Sequence, residues 1–177
     1  MVDEAAHRGP DWNALLDAAR ALRDALGSGR MVGCAESCTG GLAAAAITAL
    51  PGSSAWFERG VVTYSDRAKR ELLGVDANLL QRCGAVSEEV ARAMAAGLLR
   101  AAPVDAALAI TGIAGPDGGS VDKPVGLVWF GWAWRESGVA RIDAQGTVWS
   151  GDRGAVRMAS AQHALLGLAR RLAPPAR

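Results

Sequence analysis

The stretch Met31–Leu50, MVGCAESCTGGLAAAAITAL, constrains the fold of this chain more than any other. It opens with a short apolar run, Met31-Val32-Gly33-Cys34-Ala35, and closes with a small-residue run of helical length, Leu42–Leu50. Between them lies Glu36-Ser37-Cys38-Thr39-Gly40-Gly41, which carries a carboxylate, hydroxyls, a thiol and two glycines. The pattern predicts strand, tight turn and helix. A helix start exposes unpaired backbone N–H groups and the positive end of the dipole. Such a turn can hold an anion or a developing oxyanion. The same residues also admit a purely structural reading, with Thr39 as the helix N-cap and the glycines there for tightness.

The rest of the chain follows an alternating pattern. Residues 1–10 read as a loose lead-in, and Asp11 caps a helix over Trp12–Leu26 with Leu15, Leu16, Ala19, Leu22 and Leu26 on one face. Pro51-Gly52-Ser53-Ser54 breaks the second helix, and Ala55–Thr63 is β-like. Ser65 or Asp66 caps a helix over Arg67–Leu73 closed by Gly74, Asp76 starts a short one, and Ser87 caps another running to about Ala102. Ala106–Ile110 is short and wholly apolar, as a strand covered on both faces should be. The glycine-rich segment Gly112–Gly126, GIAGPDGGSVDKPVG, is long enough for a functional loop. Leu127–Trp134 and Val139–Trp149 predict a hairpin, and Gly151-Asp152-Arg153-Gly154 opens a last helix to Leu172. This order predicts an α/β fold over residues 1–177: a three-layer α/β/α sandwich with a mixed sheet, its last two strands antiparallel.

Composition narrows the function classes. Basic and acidic residues, 19 against 18, leave a net charge of +1, which gives no electrostatic case for bulk nucleic-acid binding. No apolar run is long enough to span a membrane, and the first residues lack a signal-peptide apolar region. With three cysteines and no disulfide pattern, the expectation is a cytoplasmic protein. Two histidines, His7 and His163, stand in no ligand spacing, so no metal site is expected. Trp129 and Trp132, on opposite faces of one strand, suggest an aromatic surface that supports a homo-oligomer.

Three predicted strands end in polar groups suited to one crevice: Ser37, then Tyr64, Ser65 and Lys69, then Thr111 and the glycine loop. A serine nucleophile needs a base, and neither histidine is a good candidate. That tilts the choice towards Lys69, although Lys69 also reads as a solvated helix lysine beside Arg67, Arg70 and Glu71. Cys38 is a rival nucleophile if the helix start lowers its pKa, and otherwise a small packing residue. Glu36 is open to three roles: base, ribose ligand or buried structural acid.

Ala35-Glu36-Ser37-Cys38-Thr39-Gly40-Gly41 resembles the signature of the CinA C-terminal domain family. Gly52–Gly60, Val62-Thr63-Tyr64-Ser65 with Lys69, Gly84–Ser87, Thr111–Gly119, Lys123–Gly126 and Gly151-Asp152-Arg153 are similar to that family in matching order. The chain looks like a stand-alone copy without the long N-terminal domain of some members. The resemblance implies hydrolysis of the carboxamide of nicotinamide mononucleotide to nicotinate mononucleotide and ammonia, with no metal or organic cofactor. It places the family's serine on Ser37, its lysine on Lys69 and its tyrosine, as orienter or relay, on Tyr64. Backbone N–H groups near Thr111-Gly112 or the Ser37 turn would hold the oxyanion. The phosphate would lie at the Thr39-Gly40-Gly41 helix start or the loop with Gly115, Gly118 and Gly119, helped by Lys123 or Arg153. Links of some members to DNA uptake and damage responses leave an alternative, a catalytically silent nucleotide-binding or protein-interaction module.

Overall fold

The computed structural model describes residues 12–173. The expected lead-in and the Asp11 cap lie outside those residues. Helix α1 spans Trp12–Leu26, strand β1 Val32–Glu36, helix α2 Leu42–Thr48 and strand β2 Phe57–Val62. Helices α3 (Asp66–Leu73), α4 (Ala77–Cys83) and α5 (Glu88–Ala101) follow. Strands β3 (Ala106–Gly112), β4 (Leu127–Glu136) and β5 (Val139–Val148) lead into helix α6, Arg153–Leu172. Ser53–Ala55, expected partly within a strand, forms a 3-10 turn ahead of β2.

The sheet order is β2-β1-β3-β4-β5. β1 runs parallel to both its neighbours, β4 is antiparallel to β3, and β5 is antiparallel to β4. The parallel pairs are joined through helices, the antiparallel β3 and β4 by the loop over residues 113–126, and β4 and β5 by a tight turn at Ser137-Gly138. Positive φ angles of 51° and 81° at those two residues match the strand twist of a short hairpin.

Two cores sit on the two faces of the sheet. One packs α1, α2 and α6 against Val32, Cys34, Leu108, Ile110, Phe130 and Trp132. The other packs Leu73, Leu80, Val90, Met94 and Leu98 against Ala35, Ala107, Ala109 and Ala133. The pleat sends alternate residues to opposite sides, so every residue of β1 is buried. The three-layer α/β/α sandwich with a mixed sheet is thus the observed fold.

Trp132 corrects one expectation. Its side chain is fully buried, its indole N–H donates to the Ala164 carbonyl at 2.9 Å, and Arg171 lies over its ring. It belongs to the core and offers no surface to a second copy. The large ring fits because α6 has a glycine opposite: a Cβ at Gly167 would come within 2.2 Å of Trp132. On the other face, a Cβ at Gly131 would come within 2.1 Å of the Ala91 carbonyl, so α5 rests directly on the β4 backbone. Gly167→Ala should therefore destabilise the fold by about 2 kcal/mol through overpacking. A urea titration that leaves the unfolding midpoint where it was would contradict this contact.

Candidate active site

The first two parallel strands end at the same edge of the sheet, and their ends carry the site. β1 runs directly into Ser37, whose N–H donates to the Ile110 carbonyl of β3 at 2.9 Å. β2 runs into Thr63, whose N–H donates to the Glu36 carbonyl at 2.7 Å. The chain then turns at Ser65, whose hydroxyl accepts from Ala68 N–H at 3.1 Å and starts α3. One turn into α3 comes Lys69, on the same face as Leu73, four residues on.

That face is buried, so Lys69 is only 1% exposed despite its charged neighbours. The solvated-lysine reading does not hold. Its Nζ lies 3.2 Å from Ser37 Oγ, 2.9 Å from the Thr63 carbonyl and 3.4 Å from the Tyr64 carbonyl. An ammonium places its three N–H bonds on these three oxygens. A neutral amine keeps two of them on the carbonyls and turns its lone pair to the serine hydroxyl. Burial lowers the lysine pKa, against opposing pulls from Asp66 and Cys38. The same geometry therefore serves both protonation states, and the environment favours the neutral one more than water does.

Ser37, Tyr64, Lys69, Thr111, Gly112, Gly115, Gly118 and Arg153 line a single cleft of about 280 Å³. Cys38, Ala85, Val86, Ile113, Ala114 and Asp117 line it as well. Of these six, the sequence pattern singled out Cys38 as a rival nucleophile and took in Ile113, Ala114 and Asp117 with the glycine loop; it gave Ala85 and Val86 no role in the site. Thr111 Oγ1 donates to the Ala85 carbonyl at 2.8 Å and ties β3 to the segment before α5. Along β3 the backbone groups alternate sides. Ile110 faces β1 through its bond from Ser37, and Ile113 N–H donates to Leu127 on the β4 side. Gly112 N–H therefore faces β1 just beyond the end of that strand, beside Ser37.

Tyr64 reaches the lysine through its backbone only. Its phenol is 61% exposed, and the hydroxyl accepts from Arg153 Nη2 at 3.2 Å. A second Arg153 nitrogen donates to the Gly115 carbonyl at 2.8 Å. Among the described residues no hydrogen bond links the Tyr64 hydroxyl directly to Ser37 or Lys69. The Tyr64 carbonyl accepts from the lysine, and the phenol with Arg153 forms the rim of the cleft.

Several expected ligand residues have other work. Helix α2 starts at Leu42 with Gly41 as its cap residue, so Thr39 is not the N-cap. The cap is Glu36. Its carboxylate accepts from Gly41 N–H at 3.0 Å, Ala43 N–H at 3.2 Å and Ala44 N–H at 2.9 Å. Cys34 Sγ lies 3.6 Å from the same group, and Glu36 is 1% exposed. The Thr39-Gly40-Gly41 helix start is thus already occupied by an internal anion and is not a phosphate site. Gly40 N–H closes the turn on the Ser37 carbonyl at 3.1 Å, and Thr39 is fully buried. Glu36 thus has the place of a buried structural acid, and it does not line the cleft. Lys123 is spent on the Cys83 carbonyl at 2.6 Å and lines a neighbouring cavity with Trp129. Gly119 packs on the Pro124–Val125 backbone, 2.8 Å from Val125 N if given a Cβ, and lies outside the cleft.

The rival chemistries lose support on the same grounds. Burial raises the Cys38 thiol to about 11, with Glu36 adding to the shift, so its thiolate is scarce at neutral pH. His163 packs against Phe130, Trp132 and Trp149 on the far side of β4, outside the cleft.

Fold and cleft together define an α/β sandwich protein with a buried serine–lysine pair beyond the ends of its parallel strands. The chain belongs to the CinA C-terminal domain family, which matches residues 17–172. It is 57% identical over 137 residues to the nicotinamide-nucleotide amidohydrolase PncC of Enterobacter agglomerans, covering 77% of this chain and 82% of that one. It is 54% identical over 138 residues to the protein of the same name from Escherichia coli K12, covering 77% and 81%. The solved competence/damage inducible protein CihA of Agrobacterium tumefaciens superposes with a TM-score of 0.82 at 41% identity, covering 94% and 98%.

Glu36→Ala should cost about 3 kcal/mol, because it strands buried N–H groups at the start of α2. Denaturant unfolding measures it; a loss below about 1 kcal/mol, the scale of an ordinary exposed cap, would show that water takes the carboxylate's place.

Proposed function

We propose that this chain hydrolyses the carboxamide of nicotinamide mononucleotide to nicotinate mononucleotide and ammonia, with Ser37 as nucleophile and Lys69 as its base. The observation that carries the reading is the 3.2 Å contact between Lys69 Nζ and Ser37 Oγ at the floor of the cleft. The names of the relatives support the substrate.

Neutral Lys69 takes the Ser37 proton as Oγ attacks the amide carbon. The carbonyl π electrons move to oxygen, and the resulting oxyanion is held by N–H groups at the Ser37 turn and Gly112. Collapse breaks the C–N bond, Lys69 returns the proton to nitrogen, and ammonia leaves. Water then attacks the acyl ester by the same base, and Ser37 is restored with release of the acid. The steps balance without a cofactor. Arg153, at the mouth beside Gly115, supplies the cation for the phosphate. We also propose a cytoplasmic homo-oligomer whose surface involves the half-buried Trp129 and the exposed Val139, Ile142 and Val148 of edge strand β5, in place of Trp132. No helix among the described residues is long and apolar enough to cross a membrane.

The test is ammonia release from the mononucleotide. Ser37→Ala should lose roughly 10⁴-fold or more in kcat, while Cys38→Ser keeps most activity. The lowered lysine pKa sets the sign of the pH profile: the free amine is populated above that pKa and lost as pH falls through it. An acid limb governed by one group is expected, and Lys69→Arg should be inactive because guanidinium stays protonated. Near-normal turnover of Lys69→Arg would falsify the base assignment. For the phosphate, Arg153→Ala should raise KM about 10-fold with the mononucleotide and leave the riboside without phosphate unaffected. An equal loss on both compounds would refute that contact.

A further inference from the structure

The turn that carries Ser37 is held from two sides. From within, the Glu36 carboxylate fixes the N–H groups of Gly41, Ala43 and Ala44. From α6, Arg157 fixes its carbonyls. Arg157 Nε donates to the Cys38 carbonyl at 3.1 Å, and Nη2 donates to the Thr39 carbonyl at 2.8 Å. Arg157 lies one helical turn beyond Arg153. Arg153 lines the cleft, and Arg157 does not.

Peptide planarity converts these bonds into a statement about N–H directions. In a trans peptide the carbonyl of one residue and the N–H of the next point opposite ways. With the Cys38 carbonyl drawn to Arg157, the Thr39 N–H points away from it. With the Thr39 carbonyl drawn the same way, the Gly40 N–H is set to close on the Ser37 carbonyl at 3.1 Å. That bond in turn fixes the Cys38 N–H on the opposite side of its own peptide plane. Among the described residues, neither the Cys38 nor the Thr39 N–H donates to another residue, and the Cys38 N–H leans only on its own thiol. The residue after a nucleophile is where other acyl-transfer sites take an oxyanion donor.

We propose that Arg157 is a positioning residue, whose guanidinium holds the Cys38 and Thr39 carbonyls and, through the Gly40 bond to the Ser37 carbonyl, fixes the turn so that the Cys38 N–H is presented to the oxyanion at Ser37. It touches no reacting atom and acts only through the turn. The planar fork reaches both carbonyls at once, which a lysine ammonium on a flexible stem does not reproduce. The inference rests on the reading of Ser37 as nucleophile and adds the device that holds an oxyanion donor in place.

The experiment reads Ser37 directly, with an alkyl fluorophosphonate. Ser37 Oγ attacks phosphorus, fluoride leaves with the P–F bond electrons, Lys69 takes the proton, and the phosphoryl oxygen occupies the oxyanion position. Labelling rate, ammonia release and melting temperature are measured for wild type, Arg157→Ala, Arg157→Gln and Arg157→Lys. Arg157→Ala should slow both labelling and kcat by about 10²-fold with KM nearly unchanged. Arg157→Lys should recover little, and added guanidinium ion should restore part of the rate to Arg157→Ala. If Arg157→Ala does not fold, Arg157→Gln is read in the same way. Labelling at the wild-type rate overturns the proposal, as does a KM rise at constant kcat. A slowed variant with a fallen melting temperature and no response to guanidinium overturns it in favour of general damage. Wild-type protein that takes no label at Ser37 also overturns it. Protein that takes the label but releases no ammonia instead refutes the substrate reading, and the labelling rates alone then decide the role of Arg157.

Discussion

A lysine amine shut away from water is the constraint around which this structure is arranged. An isolated buried ammonium is strongly unfavourable, so the fold must either pair it or let it lose its proton. Here it meets two backbone carbonyls and one hydroxyl, with no carboxylate in contact among the described residues. Those oxygens come from the end of β2 and the turn after β1. Their convergence depends on the parallel pairing of β1 with β2, in which Glu36 stands beside Val62. A shift of register would pull Thr63 and Ser37 apart and leave Lys69 without partners. Sheet register and the state of the amine are therefore one problem.

The Ser37 turn also sets the thiol beside it apart from an ordinary helix-start cysteine. A thiol at a helix start is ordinarily acidified by the dipole and the free N–H groups. In this chain the Glu36 carboxylate already occupies that end of α2, and its charge acts on Cys38 in the opposite sense. Burial raises the thiol most, and the Glu36 charge adds to it. On the proposed reading the thiol stays quiet beside a serine that has its own base, and the same carboxylate, by filling the helix start, leaves the phosphate to Arg153 and the loop after β3.

Much of this was legible in the sequence. The strand, turn and helix around Ser37 announce themselves through apolar runs and glycines, and Ser65, Asp76 and Ser87 are found at the caps where their side chains belong. Ser37, Tyr64, Lys69, Thr111, Gly112, Gly115, Gly118 and Arg153 do converge. What the pattern left open has a common cause. Residues such as Glu36, Gly119 and Lys123 carry the chemistry of ligands, but long-range packing commits them to internal partners. No local pattern says that Glu36 turns back onto α2, or that Lys123 finds a carbonyl 40 residues away. The reverse holds for Trp132, whose burial depends on Gly167 in a helix far along the chain. Within Asp66–Leu73 one local signal was available: Lys69 and Leu73 share a face, so the lysine stands where an apolar residue is expected.

On the proposed reading the substrate itself completes the base. The pyridinium ring of a nicotinamide nucleotide is a cation, and the amide to be cleaved must lie within reach of Ser37 Oγ. That brings a positive ring close to Lys69 Nζ at the moment water is driven from the cleft. Both effects disfavour the ammonium: a nearby like charge and further desolvation each lower a lysine pKa. Burial already lowers the lysine pKa, against Asp66 and Cys38, and the bound ring would push the same way. The charged and the neutral amine are two states of a single geometry. The Thr63 and Tyr64 carbonyls hold the nitrogen in both, and only the direction of the hydrogen bond to Ser37 changes. The site needs no moving part to become basic, because the charge that triggers the change arrives on the molecule to be hydrolysed.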